Sequence, residues 1–317
     1  MMNRAIITGA TGSIGIALIG ELLARQTEVL VLCREGSARN RNIPHHPLIT
    51  IKYCSLDELT LLENDTGKCY DVWFHFAWEG TMGETRNDMY LQHRNVKYTL
   101  DAVTAAERFS CGTFIGAGSQ AEYGRVEGAL NSATPPFPEN GYGIGKLCAG
   151  QMSRILCEQK GMKHIWTRIL SVYGPYDNQN TMIMSAIGKL LRGEVPAFTK
   201  CEQKWDYLYS KDAARAFVDL AERGRDGKVY CIGSGKALPL SDYIIRLRDA
   251  ICPGAELGIG QIPYGPRQVM YLCADITELE EDTGFHPVYT FEEGIRDTIE
   301  WYKEYYYEKN QCTDTLL

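Results

Sequence analysis

The chain has 317 residues, of which 44% are hydrophobic and 23% charged, and its formal net charge is -7 at pH 7. This length suits one large domain or two closely joined domains with a real core. The negative charge argues against a nucleic-acid or anionic-membrane surface, because both of these partners require a basic footprint.

Two further features bound the class of protein. The sequence has no run of about 18 apolar residues and no signal-peptide pattern, which predicts no membrane partner and a cytoplasmic location. The 11 cysteines include no Cys-x-x-Cys spacing and lie mostly among apolar residues. We therefore predict buried free thiols and no metal site.

A glycine-rich turn follows the first predicted strand, residues 5–8. The turn reads Gly-Ala-Thr-Gly-Ser-Ile-Gly, and an apolar helix then extends to about Arg25. Glycines at positions 9, 12 and 15 permit a tight turn, and a helix N-terminus presents free N–H donors. This pattern predicts a binding site for the pyrophosphate of a dinucleotide, although a simple strand-to-helix turn would look similar.

The second predicted strand, residues 28–33, ends where a dinucleotide-binding fold meets the adenosine ribose. An acidic residue at this point accepts the ribose hydroxyls of NAD, whereas an arginine meets the 2'-phosphate of NADP. Cys33 occupies the acidic position and Arg34 follows it, which favours NADP(H) over NAD(H). Glu35 could still reach the ribose, and Arg34 could be a solvated loop residue. Arg39 and Arg41 could assist with the phosphate.

Strands and helices continue to alternate as far as about residue 175. We predict strands at residues 49–53, 72–76, 113–117 and 166–170, and helices at residues 56–62 and 86–109. The alternation predicts a parallel sheet with right-handed crossovers. His75, in one of the apolar strands, is expected to be a core histidine. Trp78 lies in the loop that follows, where ligands of such sheets bind.

Beyond residue 175 the pattern is looser. We predict helices at residues 182–192, 212–223, 241–250 and 291–307, and a strand at residues 229–232. No repeat or linker separates the two regions. We therefore predict an α/β protein with a doubly wound Rossmann domain over residues 1–174 and a return segment at about 204–236. A smaller, discontinuous, mixed α/β substrate lobe is expected over residues 175–317.

Tyr142 and Lys146 lie four residues apart, which on a helix places both side chains on one face. The pKa of a free tyrosine is about 10, so proton transfer near neutral pH requires a shift of roughly 3 units, or about 4 kcal/mol. A cation at about 4 Å can supply that much at an effective dielectric constant of about 20. Ser119, at the carboxyl end of a predicted strand, is placed to donate a hydrogen bond to a reacting oxygen. Alone, Tyr-x-x-x-Lys is more often an ordinary helix surface, so this interpretation depends on the other motifs.

Together these motifs resemble the extended short-chain dehydrogenase/reductase family, also called the NAD-dependent epimerase/dehydratase family. The matching segments follow the family's order over nearly the whole chain: residues 8–15, 74–77, 119 with 123–124, 142–146, 168–175, 205–212 and 232–235. The resemblance implies a nucleotide-sugar substrate bound between the Rossmann domain and the C-terminal lobe. It also implies that Tyr142 exchanges a proton with substrate, that Lys146 tunes its pKa and holds the ribose, and that Ser119 assists.

The resemblance also implies binding residues. The cofactor pyrophosphate would be held by residues of the glycine-rich turn, namely Gly9, Thr11, Gly12, Ser13, Ile14 and Gly15. Ala77 and Asn95 would lie nearby. Substrate contacts would come from Trp78, Gln120, Ser171 and Arg267. Arg267 resembles the family's C-terminal arginine that grips the sugar diphosphate, although it could be an ordinary surface charge. Much of the family forms a homodimer through the helices that carry Tyr142 and Asn95, so self-association is expected here.

Three departures from the family pattern narrow the function. The family's sugar 4,6-dehydratases have two acidic residues where this chain has Gln120 and Ala121, which cannot titrate, so dehydration is disfavoured. Ser171 replaces an asparagine. Trp205 precedes Asp206 where the family usually has an arginine, and in this respect the chain resembles deoxysugar 4-ketoreductases of the CDP-abequose synthase type.

The leading hypothesis is an NADPH-dependent 4-ketoreductase that acts on a nucleotide-linked 4-keto-6-deoxyhexose. The alternative is a 4-epimerase with tightly held NAD, which uses the same three residues. A non-catalytic dinucleotide sensor is a third possibility, and it predicts the loss of a residue among Ser119, Tyr142 and Lys146, all of which are present.

Overall fold

The structure is a computed structural model, and it describes residues 2–308. The strands are β1 (Arg4–Thr8), β2 (Glu28–Cys33), β3 (Ile49–Tyr53), β4 (Val72–His75), β5 (Thr113–Ser119), β6 (Lys163–Ile169), β7 (Ser171–Tyr173), β8 (Lys204–Trp205), β9 (Tyr207–Tyr209), β10 (Val229–Ile232), β11 (Leu238–Pro239) and β12 (Tyr271–Leu272). The helices are α1 (Ser13–Ala24), α2 (Met89–Arg108), α3 (Gly141–Gln159), α4 (Met182–Leu191), α5 (Ser210–Arg223), α6 (Leu240–Ile251), α7 (Thr277–Thr283) and α8 (Phe291–Lys303).

A seven-stranded parallel sheet forms the centre, in the order β10-β6-β5-β4-β1-β2-β3. The chain order reverses between β1 and β4, and ligands of such sheets bind in the crevice outside the carboxyl ends at that point. A smaller mixed sheet, β11-β8-β12, and the parallel pair β7-β9 lie towards the C-terminal half. The predicted α/β fold class, a Rossmann sheet with an additional mixed region, is confirmed.

The inner strands β4 and β5 are buried along their whole length because both faces of the sheet are covered by helices. All four residues of β4 and all seven of β5 are buried, as expected of a parallel sheet between helical layers. On one face Phe74 packs against Phe217 of α5, and on the other Trp73 packs against Phe109 after α2. Packing on both faces of the sheet therefore fixes the positions of the carboxyl ends of these strands.

Several predicted boundaries were wrong by a few residues. Helix α2 begins at Met89, not at residue 86, because the Asp88 side chain accepts hydrogen bonds from the N–H groups of Tyr90 and Leu91 and so caps the helix. The segment Gly83–Asn87 instead forms a separate 3₁₀ turn. The helix predicted at residues 56–62 is also 3₁₀, and α8 ends at Lys303 before a π turn over Glu304–Glu308.

The division into two domains stays a prediction. Strand β10, from the expected return segment, pairs with β6 at the edge of the main sheet. Helices α4, α6 and α8 surround a separate apolar cluster that includes Ile187, Ile244 and Ile295. Within residues 2–308 we find no helix with the length and apolarity needed to cross a bilayer.

Candidate functional site

The glycine-rich turn is tightly packed where it leaves β1. Gly9 has a φ of +74°, and a Cβ atom at this position would lie 2.5 Å from the backbone nitrogen of Ala77. At Gly15 a Cβ atom would lie 2.6 Å from the Cα atom of Ala10. Any larger residue would therefore push the turn away from β4 or α1. Helix α1 has Gly12 as its N-cap, with no side-chain cap and no acidic residue in its first turn, so its N–H donors can receive an anion.

A cavity of about 330 Å³ opens at the carboxyl ends of β1, β2 and β4. It is lined by residues from the turn, from the segment after β2 and from the loop after β4, among them Gly9, Thr11, Gly12, Cys33, Arg34, Ser37, Arg39, Ala77 and Trp78. The cavity joins the predicted pyrophosphate turn to the predicted ribose end. The lining fits a dinucleotide, because the glycine-rich turn can receive its pyrophosphate and the arginines can meet further phosphate oxygens.

The ribose end of this cavity is cationic. Arg34 extends into solvent, with 69% of its side chain exposed, and its Nη1 atom lies 4.0 Å from a Glu79 carboxylate oxygen. Arg39 donates a hydrogen bond to the carbonyl oxygen of Thr11 at 3.3 Å. Glu35 is exposed and is not among the lining residues.

The structure brings Ser119, Tyr142 and Lys146 together beside this cavity. Ser119 is the last residue of β5, Tyr142 lies in the first turn of α3, and Lys146 lies one turn further on. Helix α3 starts here because the Asn140 side chain accepts a hydrogen bond from the N–H of Gly143 at 2.8 Å. Burial raises the pKa of Tyr142, and the nearby Ser119 hydroxyl opposes that rise.

The environment of Lys146 differs from the expected one. Its ammonium donates to the carbonyl oxygen of Ala117 at 2.5 Å and lies 3.8 Å from the centroid of the Trp78 ring. The centroid of the Tyr142 ring is 5.8 Å from the same ammonium, so the role of Lys146 in tuning the pKa of Tyr142 stays a prediction. Burial lowers the pKa of Lys146 to about 7 and raises that of Tyr142. The guanidinium of Arg86 is closer to the centroid of the Tyr142 ring, at 4.5 Å.

A buried ion pair between Glu122 and Arg168 lies next to Ser119, and it was not predicted from the sequence. The Glu122 carboxylate accepts hydrogen bonds from the backbone N–H of Ser119 at 2.8 Å, from Trp166 Nε1 at 3.0 Å and from Arg168 Nε at 2.8 Å. Both charged side chains are at most 4% exposed. A signal existed, since Arg168 lies in a strand of the central sheet beside apolar residues such as Trp166 and Ile169, and a charge buried there must find a partner.

Some predicted cofactor residues have other side-chain contacts. The Asn95 amide accepts from the N–H of Glu79 and donates to its carbonyl oxygen, both at 2.9 Å, and so fixes the loop that carries Trp78. Ser13 lines a different cavity, between α1 and α5, and Ile14 packs against the core. Any contact of Ser13 and Ile14 with pyrophosphate would therefore come from their backbone N–H groups.

The predicted substrate residues lie on four different segments of the chain. Trp78 contacts Tyr142 edge-on, with ring centroids 6.1 Å apart. Gln120 is half-buried next to Ser119. The Ser171 hydroxyl accepts a hydrogen bond from Trp205 Nε1 at 2.7 Å. Arg267 is exposed on a loop; Arg125, with a smaller contribution from Arg267, lowers the pKa of the nearby Glu139 carboxyl.

Two further predictions concern titratable side chains. His75 is a buried core residue, as predicted: its Nδ1 atom lies 2.9 Å from the Thr8 hydroxyl, and burial lowers its pKa to about 3. Over residues 2–308 there is no cluster of three or more His, Cys, Asp or Glu side chains that could hold a metal ion.

The parallel sheet, the glycine-rich turn and the adjoining Ser-Tyr-Lys group define a dinucleotide-binding enzyme of the Rossmann type. Residues 5–233 match the family model described as the NAD dependent epimerase/dehydratase family, and the chain belongs to this family. The expected resemblance and the expectation of an enzyme are thereby confirmed.

Similar proteins include members with different activities. A dTDP-glucose 4,6-dehydratase of Streptomyces niveus is 24% identical over an alignment that covers 95% of this chain and 93% of that protein. A UDP-N-acetylglucosamine 4-epimerase from Methanobrevibacter ruminantium M1, in complex with UDP-N-acetylmuramic acid, has a TM-score of 0.85 at 22% identity and covers 96% of this chain and 100% of its own. RMD from Pseudomonas aeruginosa, complexed with NADPH, has a TM-score of 0.79 at 21% identity and covers 96% and 99%. At these identities the structural matches establish the fold.

Proposed function

We propose that this enzyme is a 4-ketoreductase that uses NADP(H) to reduce a nucleotide-linked 4-keto-6-deoxyhexose. The observation that carries the proposal is the chemistry next to Ser119. Gln120 and Ala121 cannot titrate, and Glu122 is turned into the protein towards Arg168. Dehydration needs an extra acid and base at the sugar, whereas reduction of a ketone needs one proton donor. The site therefore suits reduction.

The roles of the three central residues follow from their surroundings. A dinucleotide held in the cavity lined by Gly9, Gly12 and Arg34 would supply hydride chemistry to the sugar carbonyl. Tyr142 then gives its proton to the developing alkoxide, and the Ser119 hydroxyl donates a hydrogen bond to the same oxygen. Because burial raises the pKa of Tyr142, the phenol is protonated at neutral pH, as a donor must be. Lys146, on the same face of α3, is proposed to hold the cofactor ribose.

The substrate is proposed to lie between the end of β5 and the C-terminal lobe. Trp78 and Gln120 would contact the sugar, and Arg267 would meet the diphosphate, to which its planar guanidinium is well matched. Ser171 is proposed to contact the substrate as well. Trp205 would orient its hydroxyl, because the indole donates a hydrogen bond to that oxygen at 2.7 Å. The enzyme is also proposed to be located in the cytoplasm.

The preference for NADP(H) rests on the cationic ribose end. We expect Arg34→Ala to weaken NADPH binding by about tenfold to a hundredfold, which corresponds to one charge-assisted hydrogen bond to phosphate. NADH affinity should remain unchanged, since NADH lacks the 2'-phosphate. Fluorescence titration of the purified protein with each cofactor measures both values.

The matched control for this prediction is Glu35→Ala, at the next position. Glu35 is exposed and does not line the cavity, so this variant should keep the preference of the unmodified enzyme. The opposite result would be loss of NADH binding in the Glu35 variant and unchanged NADPH binding in the Arg34 variant. It would show that Glu35 binds the ribose hydroxyls of NAD.

Reductase and epimerase are distinguished by what happens to the cofactor. A reductase must release its oxidised cofactor after each turnover, whereas a 4-epimerase regenerates its NAD internally. We expect the denatured protein to release no stoichiometric NAD and the native enzyme to oxidise NADPH when a 4-keto-6-deoxyhexose nucleotide is added. Stoichiometric, slowly exchanging NAD together with interconversion of hexose epimers would instead establish the epimerase.

We also propose a homodimer formed through α3. Its exposed face carries apolar side chains at helical spacing, namely Ile144, Met152 and Ile155, which are 51%, 45% and 47% exposed. The double substitution Met152→Glu with Ile155→Glu is expected to convert a dimer into a monomer, because two buried carboxylates would face an apolar partner surface. Size-exclusion chromatography with light scattering measures the mass.

The control for the dimer prediction is Leu61→Glu. Leu61 is 77% exposed, on a 3₁₀ turn outside α3, so this variant should stay dimeric. An unmodified enzyme that is already monomeric at micromolar concentration would overturn the proposal.

A further inference from the structure

Arg86 lies against the central tyrosine, although none of the roles assigned above involves it. Its guanidinium carbon is 4.5 Å from the centroid of the Tyr142 ring, a distance typical of a cation over an aromatic face. Trp78 contacts the same ring edge-on. The phenol is therefore in contact with an indole and with a guanidinium.

The position of Arg86 is fixed by the surrounding backbone. The residue lies in the 3₁₀ turn Gly83–Asn87, and its Nη1 atom donates to the carbonyl oxygen of Thr81 at 3.1 Å. The next side chain, Asn87, accepts a hydrogen bond from the N–H of Gly141 at 3.0 Å. This bond ties the turn to the residue that begins α3. These two hydrogen bonds therefore fix the position of the Arg86 guanidinium relative to the Tyr142 ring.

Three charged side chains influence Tyr142 from the elements around it. Arg86 faces the ring from the 3₁₀ turn, Lys146 lies on the same helix, and Glu122 lies below in the turn after β5. Lys146 is 5.8 Å from the ring centroid, and its ammonium is engaged with a backbone carbonyl. The charge of Glu122 is balanced by Arg168 at 2.8 Å. Arg86 is therefore the cation best placed to act on the phenol.

We propose that Arg86 is a positioning residue that acts through Tyr142: its guanidinium orients the ring and stabilises the phenolate left after the proton has passed to substrate. A neutral phenol attracts the guanidinium only through its π face, whereas a phenolate carries a full opposite charge. The interaction therefore strengthens as proton transfer proceeds, which is the condition for lowering a barrier. The kinetic part of this proposal rests on the proposed function.

Replacing Arg86 should raise the pKa of Tyr142. The charge of Arg86 opposes the rise that burial causes, so Arg86→Gln should move the titration of Tyr142 upwards by about one unit, a tenfold change in its acidity. Ultraviolet difference titration of the cofactor-free protein measures this pKa. Subtracting the titration of Tyr142→Phe, with and without the Arg86 substitution, isolates the signal of this one tyrosine.

Turnover supplies a second readout. Arg86→Gln should lower kcat by about tenfold, the equivalent of one pKa unit, with little change in KM for the keto sugar. It should also move the alkaline limb of the pH profile upwards. Arg86→Lys keeps the charge and should restore most of the loss. Arg94→Gln, an exposed arginine of α2, is the matched control and should change neither the titration nor kcat.

The titration requires no substrate, so it tests Arg86 even if the proposed ketone is not reduced. An unchanged Tyr142 titration in folded Arg86→Gln would overturn the inference. A shifted titration without any turnover of 4-keto sugars would retain the inference and overturn the proposed function. If Arg86→Gln and Arg86→Lys lost activity equally, with no shift in titration, the residue would be purely structural.

Discussion

Tyr142→Phe is expected to lower kcat for reduction of the 4-keto sugar by about a hundredfold to ten-thousandfold, the usual range for loss of a general acid. The substitution removes only the hydroxyl, so the ring should keep its contacts with Trp78 and Arg86. Binding of NADPH should change little, because the phenol contributes at most one of many cofactor contacts. A spectrophotometric assay of NADPH oxidation, with a parallel fluorescence titration of the cofactor, measures both quantities.

The matched control is Tyr90→Phe, which removes the same hydroxyl from a side chain that is 82% exposed on α2. This variant should turn over at the unmodified rate. Full activity of Tyr142→Phe would exclude Tyr142 as the proton donor. It would mean that turnover depends on other residues.

Arg168→Met is expected to destabilise the fold by about 3–5 kcal/mol, the usual cost of leaving one partner of a buried ion pair uncompensated. The Glu122 carboxylate would then remain buried and charged, or would have to take up a proton. It would keep hydrogen bonds only from Ser119 and Trp166. Chemical denaturation monitored by tryptophan fluorescence measures the loss. Because Glu122 holds the N–H of Ser119, residual activity should fall as well.

Two comparisons make the stability prediction specific. Adding Glu122→Gln to Arg168→Met removes the orphaned charge and should recover part of the stability. Arg125→Met, which breaks the exposed Arg125–Glu139 pair, should have a much smaller effect because solvent screens surface charges. Equal losses from Arg168→Met and Arg125→Met would mean that the buried pair contributes no more than a surface pair.

The parts of the site that were predictable from sequence are those set by local spacing. The glycines at positions 9, 12 and 15 had to lie between a strand and a helix, and the separation of Tyr142 from Lys146 had to place both on one face of a helix. Each inference needed only the geometry of one turn or one helix. The structure places both motifs at the carboxyl ends of the central strands.

The electrostatic surroundings of Tyr142 could not be predicted in the same way. The spacing of Tyr142 and Lys146 indicated one nearby cation, but it could not show that the Lys146 ammonium also donates to the carbonyl of Ala117 and lies over Trp78. Arg86 is 56 positions before Tyr142, in a turn with no recognisable motif. A pair at that separation is brought together only by the packing of α2 against α3, and no local rule describes it.

The sequence by itself determined the fold class, the family, the position of the dinucleotide turn and the identity of the Ser-Tyr-Lys group. Alternating strands and helices and short motifs encode these features within a few residues of chain. Only the tertiary structure decided which charges surround the phenol, that Asn95 supports a loop, and that Glu122 faces Arg168 instead of the opening. These contacts join distant segments, and burial sets the strength of their charges because it removes water from around them.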